Sequence, residues 1–298
     1  MKAQANGIEI EYETFGEPAN PAVLLIMGLA AQLTRWPLPL VEELARRGYF
    51  VIRYDNRDIG LSTKFDNAPM PALPTLIAAM MAGQKPDVPY TLNDMAADAV
   101  GLLDALDIER AHVMGASMGG MIAQLVAASY PDRVLSLTSI MSSTGNPALP
   151  PSKPEAMAVL TSRPTGGDRE AAIAYGVRSD RVIGSPAYPV EESVLRARVE
   201  RDFDRMYYPV GPGRQLAAVV AGGDRRAAIR TIGVPTMVIH GVDDPLVLVE
   251  AGRDTAANIP GAEIVEIPGM GHNLPEPLIP AVLDAFETVA RRANAVAD

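Results

Sequence analysis

No cysteine occurs among the 298 residues. Disulfide frameworks, thiolate nucleophiles and cysteine-based zinc or iron–sulfur sites are therefore excluded together. Histidine is almost as scarce: His112, His240 and His272 are the only three, too far apart for the short-spaced pairs of metal-binding helices. Nothing in the chain calls for a metal or any other cofactor. Basic clusters are no longer than pairs such as Arg46-Arg47, Arg225-Arg226 and Arg291-Arg292, against a formal net charge of −10. A surface that tracks phosphates needs clustered cations, so nucleic acid is not an expected partner. The most apolar stretches, residues 22–31 and 72–82, fall short of the roughly 18 residues of a membrane span. Lys2 is followed by the polar run Gln4-Ala5-Asn6-Gly7, not by the apolar core of a signal peptide. No membrane association and a cytoplasmic location are expected.

What is present is an ordinary globular composition, 48% hydrophobic and 21% charged, able to form a large core. At roughly 150 residues per domain the length admits about two domains, or one α/β domain with an insertion. Ile8, Ile10 and Tyr12 alternate with polar residues, as in a half-buried strand. Residues 22–27 are a continuous apolar run, as in a parallel strand covered on both faces. Residues 50–54, 111–114, 134–140, 236–240 and 263–267 repeat that pattern. Helical patterns lie between them, the clearest opening on a Thr91-x-x-Asp94 capping box with Leu92, Met95, Ala99, Leu103 and Leu106 at helical spacing. Residues 118–129, 246–258 and 281–294 read as further helices, and a short one is expected at 73–81 within the proline-rich stretch 64–89. The alternation predicts an α/β fold with a doubly wound, mostly parallel sheet. From about 144 to 229 the strands stop and Arg-rich helical patterns follow a Pro/Gly-rich entry. The expected division is a first core part at 1–143, an inserted, mainly helical cap at 144–229 and a second core part at 230–298.

The most informative stretch is Gly115-Ala116-Ser117-Met118-Gly119-Gly120. It matches Gly-x-Ser-x-Gly, in which small residues let a strand turn sharply into a helix and leave a serine hydroxyl protruding at the sheet's C-terminal edge. Here the motif follows an apolar strand and opens an apolar helix. A serine hydroxyl needs an adjacent base, and the base needs a third group that fixes its tautomer. His272, in the loop Pro268-Gly269-Met270-Gly271-His272-Asn273, is the expected base. His112 opens the strand leading to Ser117 and should lie at its far end; His240 precedes Gly241 and reads as a packed residue. The loop Gly241-Val242-Asp243-Asp244-Pro245 offers the acid. Asp244 is favoured over Asp243, and residues 140–147 hold no carboxylate that could compete. The N–H of Met118, directly after the nucleophile, is one expected oxyanion donor.

The order Ser117, Asp244, His272 resembles that of the α/β-hydrolase superfamily, and the resemblance spans essentially the whole chain. It implies a second oxyanion donor, the N–H of Leu29, in the loop Met27-Gly28-Leu29, where many members carry His-Gly-x. Arg53-Tyr54-Asp55-Asn56-Arg57-Asp58-Ile59-Gly60-Leu61-Ser62, taken with the Met-Gly loop, is similar to the aclacinomycin methylesterase group, which hydrolyses carboxylic methyl esters. Across the superfamily this decapeptide braces the sheet edge.

Met27, Met121, Met141 and Met270 fall near the strand ends that should surround Ser117 and, with Met118, suggest an adaptable apolar pocket. Trp36 is expected at its entrance, and Tyr175, Tyr188, Tyr207 and Tyr208 over it. The cap arginines, interleaved with acids, are expected to form ordinary surface pairs. The resulting expectation is a cofactor-independent serine hydrolase of small or medium, largely apolar carboxylic esters, with homo-oligomerisation left open. Cofactor-free perhydrolases, aminopeptidases and carbon–carbon hydrolases share the triad, and a non-enzymatic small-ligand receptor on the same fold is the rival from another class.

Overall fold

Eight strands pair into one sheet in the computed structural model, which describes residues 1–70, 72–162 and 168–297. Pro71, in the expected proline-rich loop, residues 163–167 of the expected cap and residue 298 of the second core part lie outside the described residues. The strands are β1 (Lys2–Ala5), β2 (Ile8–Phe15), β3 (Ala22–Ile26), β4 (Phe50–Tyr54), β5 (Ala111–Ala116), β6 (Val134–Ile140), β7 (Thr236–Gly241) and β8 (Glu263–Ile267). Their order is β1-β2-β4-β3-β5-β6-β7-β8. β1 and β2 join as an antiparallel edge, and β4 to β8 run parallel with β3 among them.

The polar run near the N-terminus belongs to this edge. Asn6 and Gly7, at φ 47° and 76°, form the two-residue turn that the twist of a hairpin favours, and β1 folds back along β2 in register from Lys2 opposite Glu11 to Ala5 opposite Ile8. In β3 successive side chains serve opposite faces: Leu24 and Ile26 join one core, Val23 and Leu25 the other. The first core is covered by α3 (Leu92–Ala105) and α4 (Met118–Ser129), the second by α1 (Leu38–Arg46) and α11 (Ile279–Ala297). The Thr91 capping box closes as expected, with the Thr91 N–H donating to Asp94 Oδ2 at 2.7 Å and the Asp94 N–H to Thr91 Oγ1 at 3.3 Å. The short helix α2 (Leu73–Met81) also forms. Among the described residues no helix is long and apolar enough to cross a membrane.

Between β6 and β7 the described residues form α5 (Pro154–Thr161), α6 (Arg169–Ile183), α7 (Glu192–Arg205), α8 (Gly211–Gly222) and α9 (Arg226–Ile229). Ile173, Val177, Leu195 and Val199 give α6 and α7 a small core of their own. Arg196 with Glu170, and Arg169 with Asp204, are exposed pairs of the expected kind. Three guanidinium groups tie the insert to the sheet domain, and one of them, Arg205, departs from the expected surface pairing. Arg205 meets the fully buried Asp55 at 2.7 Å, Arg214 meets the fully buried Asp58 at 2.7 Å, and core Arg35 reaches Asp180 at 2.9 Å and also contacts Asp202.

The helix after β7 starts later than its apolar pattern suggests. α10 (Val249–Asn258) begins three residues beyond the expected start at 246, because the Asp244 carboxylate takes the N–H groups of Leu246 and Val247 at 2.8 and 2.9 Å. An Asx-type turn of this kind competes with the helix for those donors.

His112 faces the second core, edge-on to Tyr49 and Phe286, with Nδ1 2.8 Å from Ser136 Oγ. Burial, assisted by Arg110, pushes its pKa down to about 4. The folded protein therefore holds a neutral ring that the unfolded chain protonates near pH 6.5, and stability falls as pH drops from about 6.5 to about 4. The linkage amounts to about 3 kcal/mol. His112→Phe keeps the ring packing and removes the titration. Urea melts at pH 7 and pH 4.5 should show a shallower acid loss in this variant than in wild type.

Candidate active site

β3 has β4 on one side and β5 on the other, so the chain leaves the C-terminal ends of β3 and β5 toward opposite flanks. Such a reversal opens a crevice at the edge of a doubly wound sheet. Ser117 lies there, between β5 and α4, at φ 56° and ψ −121°. Left-handed backbone at a residue with a Cβ is strained, and here close packing enforces it: a Cβ at Gly115 would lie 2.1 Å from Gly119 O, and one at Gly119 would lie 2.0 Å from Ile26 O. The Ser117 N–H is fixed to Ile140 O at 2.9 Å, and Ser142 Oγ donates to Ser117 O at 2.8 Å.

The loops after β7 and β8 bring the other two predicted residues to the hydroxyl. His272 Nε2 is 2.9 Å from Ser117 Oγ, and His272 Nδ1 is 2.7 Å from Asp244 Oδ2. Asp244 is 1% exposed and His272 8%, so the chain of contacts is shielded from water and its electrostatics are strong. Asp243 does not join it. Its carboxylate is exposed and accepts the Gly269 N–H at 2.7 Å, which shapes the histidine loop. His240 lies behind Asp244, with Nε2 donating to Val247 O at 2.7 Å. Burial lowers its pKa, outweighing the contact with Val247 and the charge of Asp244. A neutral His240 leaves the Asp244 charge directed at His272.

The loop Met27-Gly28-Leu29 runs directly beside the serine, since a Cβ at Gly28 would lie 3.1 Å from Ser117 Cβ. Asn56 Nδ2 donates to Met27 O at 2.8 Å, and the Ala30 N–H donates to Gln215 Oε1 at 2.9 Å. These bonds brace the loop in the absence of a histidine at position 27. The Met118 N–H belongs to the first turn of α4, where helix geometry leaves donors without an intrahelical acceptor.

Over Ser117 lies a cavity of about 560 Å³, walled on one side by the insert. Met27, Leu29, Met118, Met121 and Met141 line it, together with Tyr175, Tyr207 and Tyr208. Three expected lining residues are elsewhere. Trp36 is fully buried in the core under α1 and α11, and Arg53 Nη1 donates to its carbonyl at 3.1 Å. Met270 is in the same core, because its carbonyl accepts the Asp243 N–H at 3.1 Å and the loop turns its side chain inward. Tyr188 packs against that core as well. One wall of the cavity carries a charged group, in which Asp180 is 2.9 Å from Arg35 and 2.8 Å from Arg198. Burial alone would raise the Asp180 pKa, but the two guanidinium groups outweigh it and hold the carboxyl below its usual range.

Several contacts at the site have no local sequence signal. The His272 N–H donates to Ile183 O at 2.7 Å and the Gly271 N–H to Ser185 Oγ at 2.9 Å, so the end of α6 and the turn after it hold the histidine loop. Gln215 reaches the Leu29 loop from α8 across 185 positions. Asn56 alone had a signal, the bracing decapeptide. That segment also pairs Arg57 with buried Asp98 at 2.6 Å.

A nucleophile elbow at the switch point of a doubly wound sheet, with an acid after β7 and a histidine after β8, defines a class. The chain belongs to the alpha/beta hydrolase fold family, whose model matches residues 21–276. Among curated proteins it is 31% identical to the rhodomycin D methylesterase DauP of Streptomyces sp. strain C5, over 91% of this chain and 92% of that one. It is 29% identical to the rhodomycin D methylesterase DnrP of Streptomyces peucetius, over the same shares. Among solved structures, the enol-lactonase of Burkholderia xenovorans LB400 superposes with a TM-score of 0.68 at 24% identity over the whole of both chains, a likeness of fold.

Proposed function

We propose that this protein hydrolyses carboxylic esters through an acyl-enzyme, and that the observation carrying this is the unbroken contact chain Ser117–His272–Asp244 beneath a mostly apolar cavity. Ser117 Oγ attacks the ester carbonyl while His272 Nε2 takes its proton. The N–H groups of Met118 and Leu29 hold the carbonyl oxygen as it becomes an oxyanion. His272 returns the proton to the departing alcohol as the carbon–oxygen bond breaks, leaving the acyl group on Ser117. Water then attacks that ester, giving its proton to His272 and releasing the acid as Ser117 recovers its hydrogen. Asp244 holds the imidazole with Nδ1 protonated and stabilises the imidazolium. No cofactor enters these steps, and residues 144–229 act as the cap.

Two methylesterases among the relatives support a small alcohol leaving group. The cavity volume falls within the usual range for small-molecule sites, and its methionines suit an acyl part of small or medium size. Aminopeptidase chemistry is less well supported. A free amino terminus needs an available carboxylate, whereas Asp180 and Asp202 are already paired with Arg35. Steady-state assays on p-nitrophenyl acetate, butyrate, octanoate and laurate, alongside simple methyl esters, test the reading. Turnover of the acetate to octanoate esters and of methyl esters is expected, with a fall at laurate. A protein that turns over no carboxylic ester contradicts it.

A further inference from the structure

Ala30, the residue after Leu29, has φ 61°. Side chains with a Cβ seldom occupy this left-handed region without a neighbour that enforces it. Ala30 sits at the third position of a turn in which the Ala31 N–H reaches Gly28 O at 3.4 Å, and the side chain that braces this turn is Gln215, fully buried on α8. Its Oε1 accepts the Ala30 N–H at 2.9 Å, and its Nε2 donates to Arg57 O at 2.8 Å. Donor and acceptor are thus both used, and the amide cannot rotate without breaking both bonds. The adjacent Asn56 holds the other end of the same loop through Met27 O at 2.8 Å. The peptide of Leu29 lies between two clamps, both anchored on residues 56 and 57. Gln215 is not needed simply to attach α8, because its neighbour Arg214 already does so through the buried pair with Asp58.

We infer that Gln215 is a positioning residue for the oxyanion hole: from the cap it holds Ala30 in a strained conformation and so aims the Leu29 N–H at the reacting oxygen. The inference rests on the ester hydrolase reading, in which that N–H binds the oxyanion. A donor displaced by a fraction of an ångström stabilises the transition state less while substrate binding in the apolar cavity continues.

The test is Gln215→Met, which approximates the side-chain shape and removes both bonds, assayed on p-nitrophenyl acetate per active site titrated. kcat should fall about 10- to 100-fold with KM within about threefold. Affinity for butylboronic acid, whose serine adduct is tetrahedral, should fall in parallel. A purely structural role would lower the melting temperature and leave kcat per active site unchanged. The kcat loss should shrink when Ala30→Gly is also present, because glycine takes the left-handed conformation without strain. If Gln215→Met does not fold, Ala30→Val leaves Gln215 and its anchorage in place while disfavouring that conformation, and the same kcat loss is expected. Unchanged kcat per active site in Gln215→Met, or in Ala30→Val where the first variant is unfolded, overturns the inference alone. A wild-type protein without ester turnover overturns the hydrolase reading and the inference with it.

Discussion

Ser117→Ala should lower kcat on any ester the protein turns over by a factor of about 10⁴ to 10⁶, the range seen when a triad nucleophile is removed. Alanine supplies no oxygen to attack the carbonyl, and what remains on the proposed mechanism is binding in the cavity and polarisation by the N–H groups of Met118 and Leu29. The fold should be insensitive to the change. Ser117 holds its place through backbone bonds, its N–H to Ile140 O and its carbonyl to Ser142 Oγ, and alanine retains both. The strain at φ 56° is likewise common to the two residues. Urea or thermal melts of mutant and wild type should agree within about 1 kcal/mol, as for substitutions that open no cavity and orphan no buried group. Ester turnover near the wild-type rate in a folded Ser117→Ala protein would remove the serine from the mechanism.

Asp244→Asn should lower kcat by roughly 10⁴ with little change in KM, through the proton and not through the fold. The asparagine oxygen can still accept the N–H groups of Leu246 and Val247, which lie 2.8 and 2.9 Å from Asp244 Oδ1. Its NH₂ then faces His272 Nδ1, where the carboxylate oxygen now sits at 2.7 Å. That nitrogen must accept, so the ring proton moves to Nε2, the atom 2.9 Å from Ser117 Oγ. An Nε2–H donates to the hydroxyl and cannot take its proton. Asp244→Ala should lose activity to a similar degree and, in addition, about 1 kcal/mol of stability for each of the half-buried Leu246 and Val247 N–H groups left without this acceptor. A difference in melting between the asparagine and alanine variants, with equal loss of turnover, separates the two tasks of this carboxylate. Asp244→Asn with near-normal kcat would contradict its assignment as the orienting acid.

The sheet and the three residues at its edge were legible because their signals are local. A short run rich in apolar residues marks each parallel strand, broken by polar residues in β6 and β8, and Gly115 to Gly119 marks the turn at Ser117 by residue size alone. Asp244 and His272 follow from the loops after the last two strands. Four things were not legible. Trp36 and Met270 follow strand ends in sequence, yet which way a loop side chain turns depends on distant bonds such as Asp243 N–H to Met270 O. The hairpin at Asn6-Gly7 was masked by the polarity of its turn, although that dipeptide is itself a turn signal. The supports of the site, Gln215 on the Leu29 loop and Ser185 on the histidine loop, act across 185 and 86 positions. No periodicity or spacing connects residues so far apart. The expected surface pairing of Arg205 fails for the same reason, since this guanidinium meets Asp55 of the sheet domain and not a helical neighbour.

The most direct measurement is to treat the protein with a fluorophosphonate ester, follow the loss of ester turnover, and locate the adduct by peptide mass mapping. The account predicts one label per chain, on Ser117, with loss of activity in proportion to labelling and no labelling of Ser117→Ala. Complete loss of turnover with the label on another residue, or full turnover in chains labelled at Ser117, would contradict it.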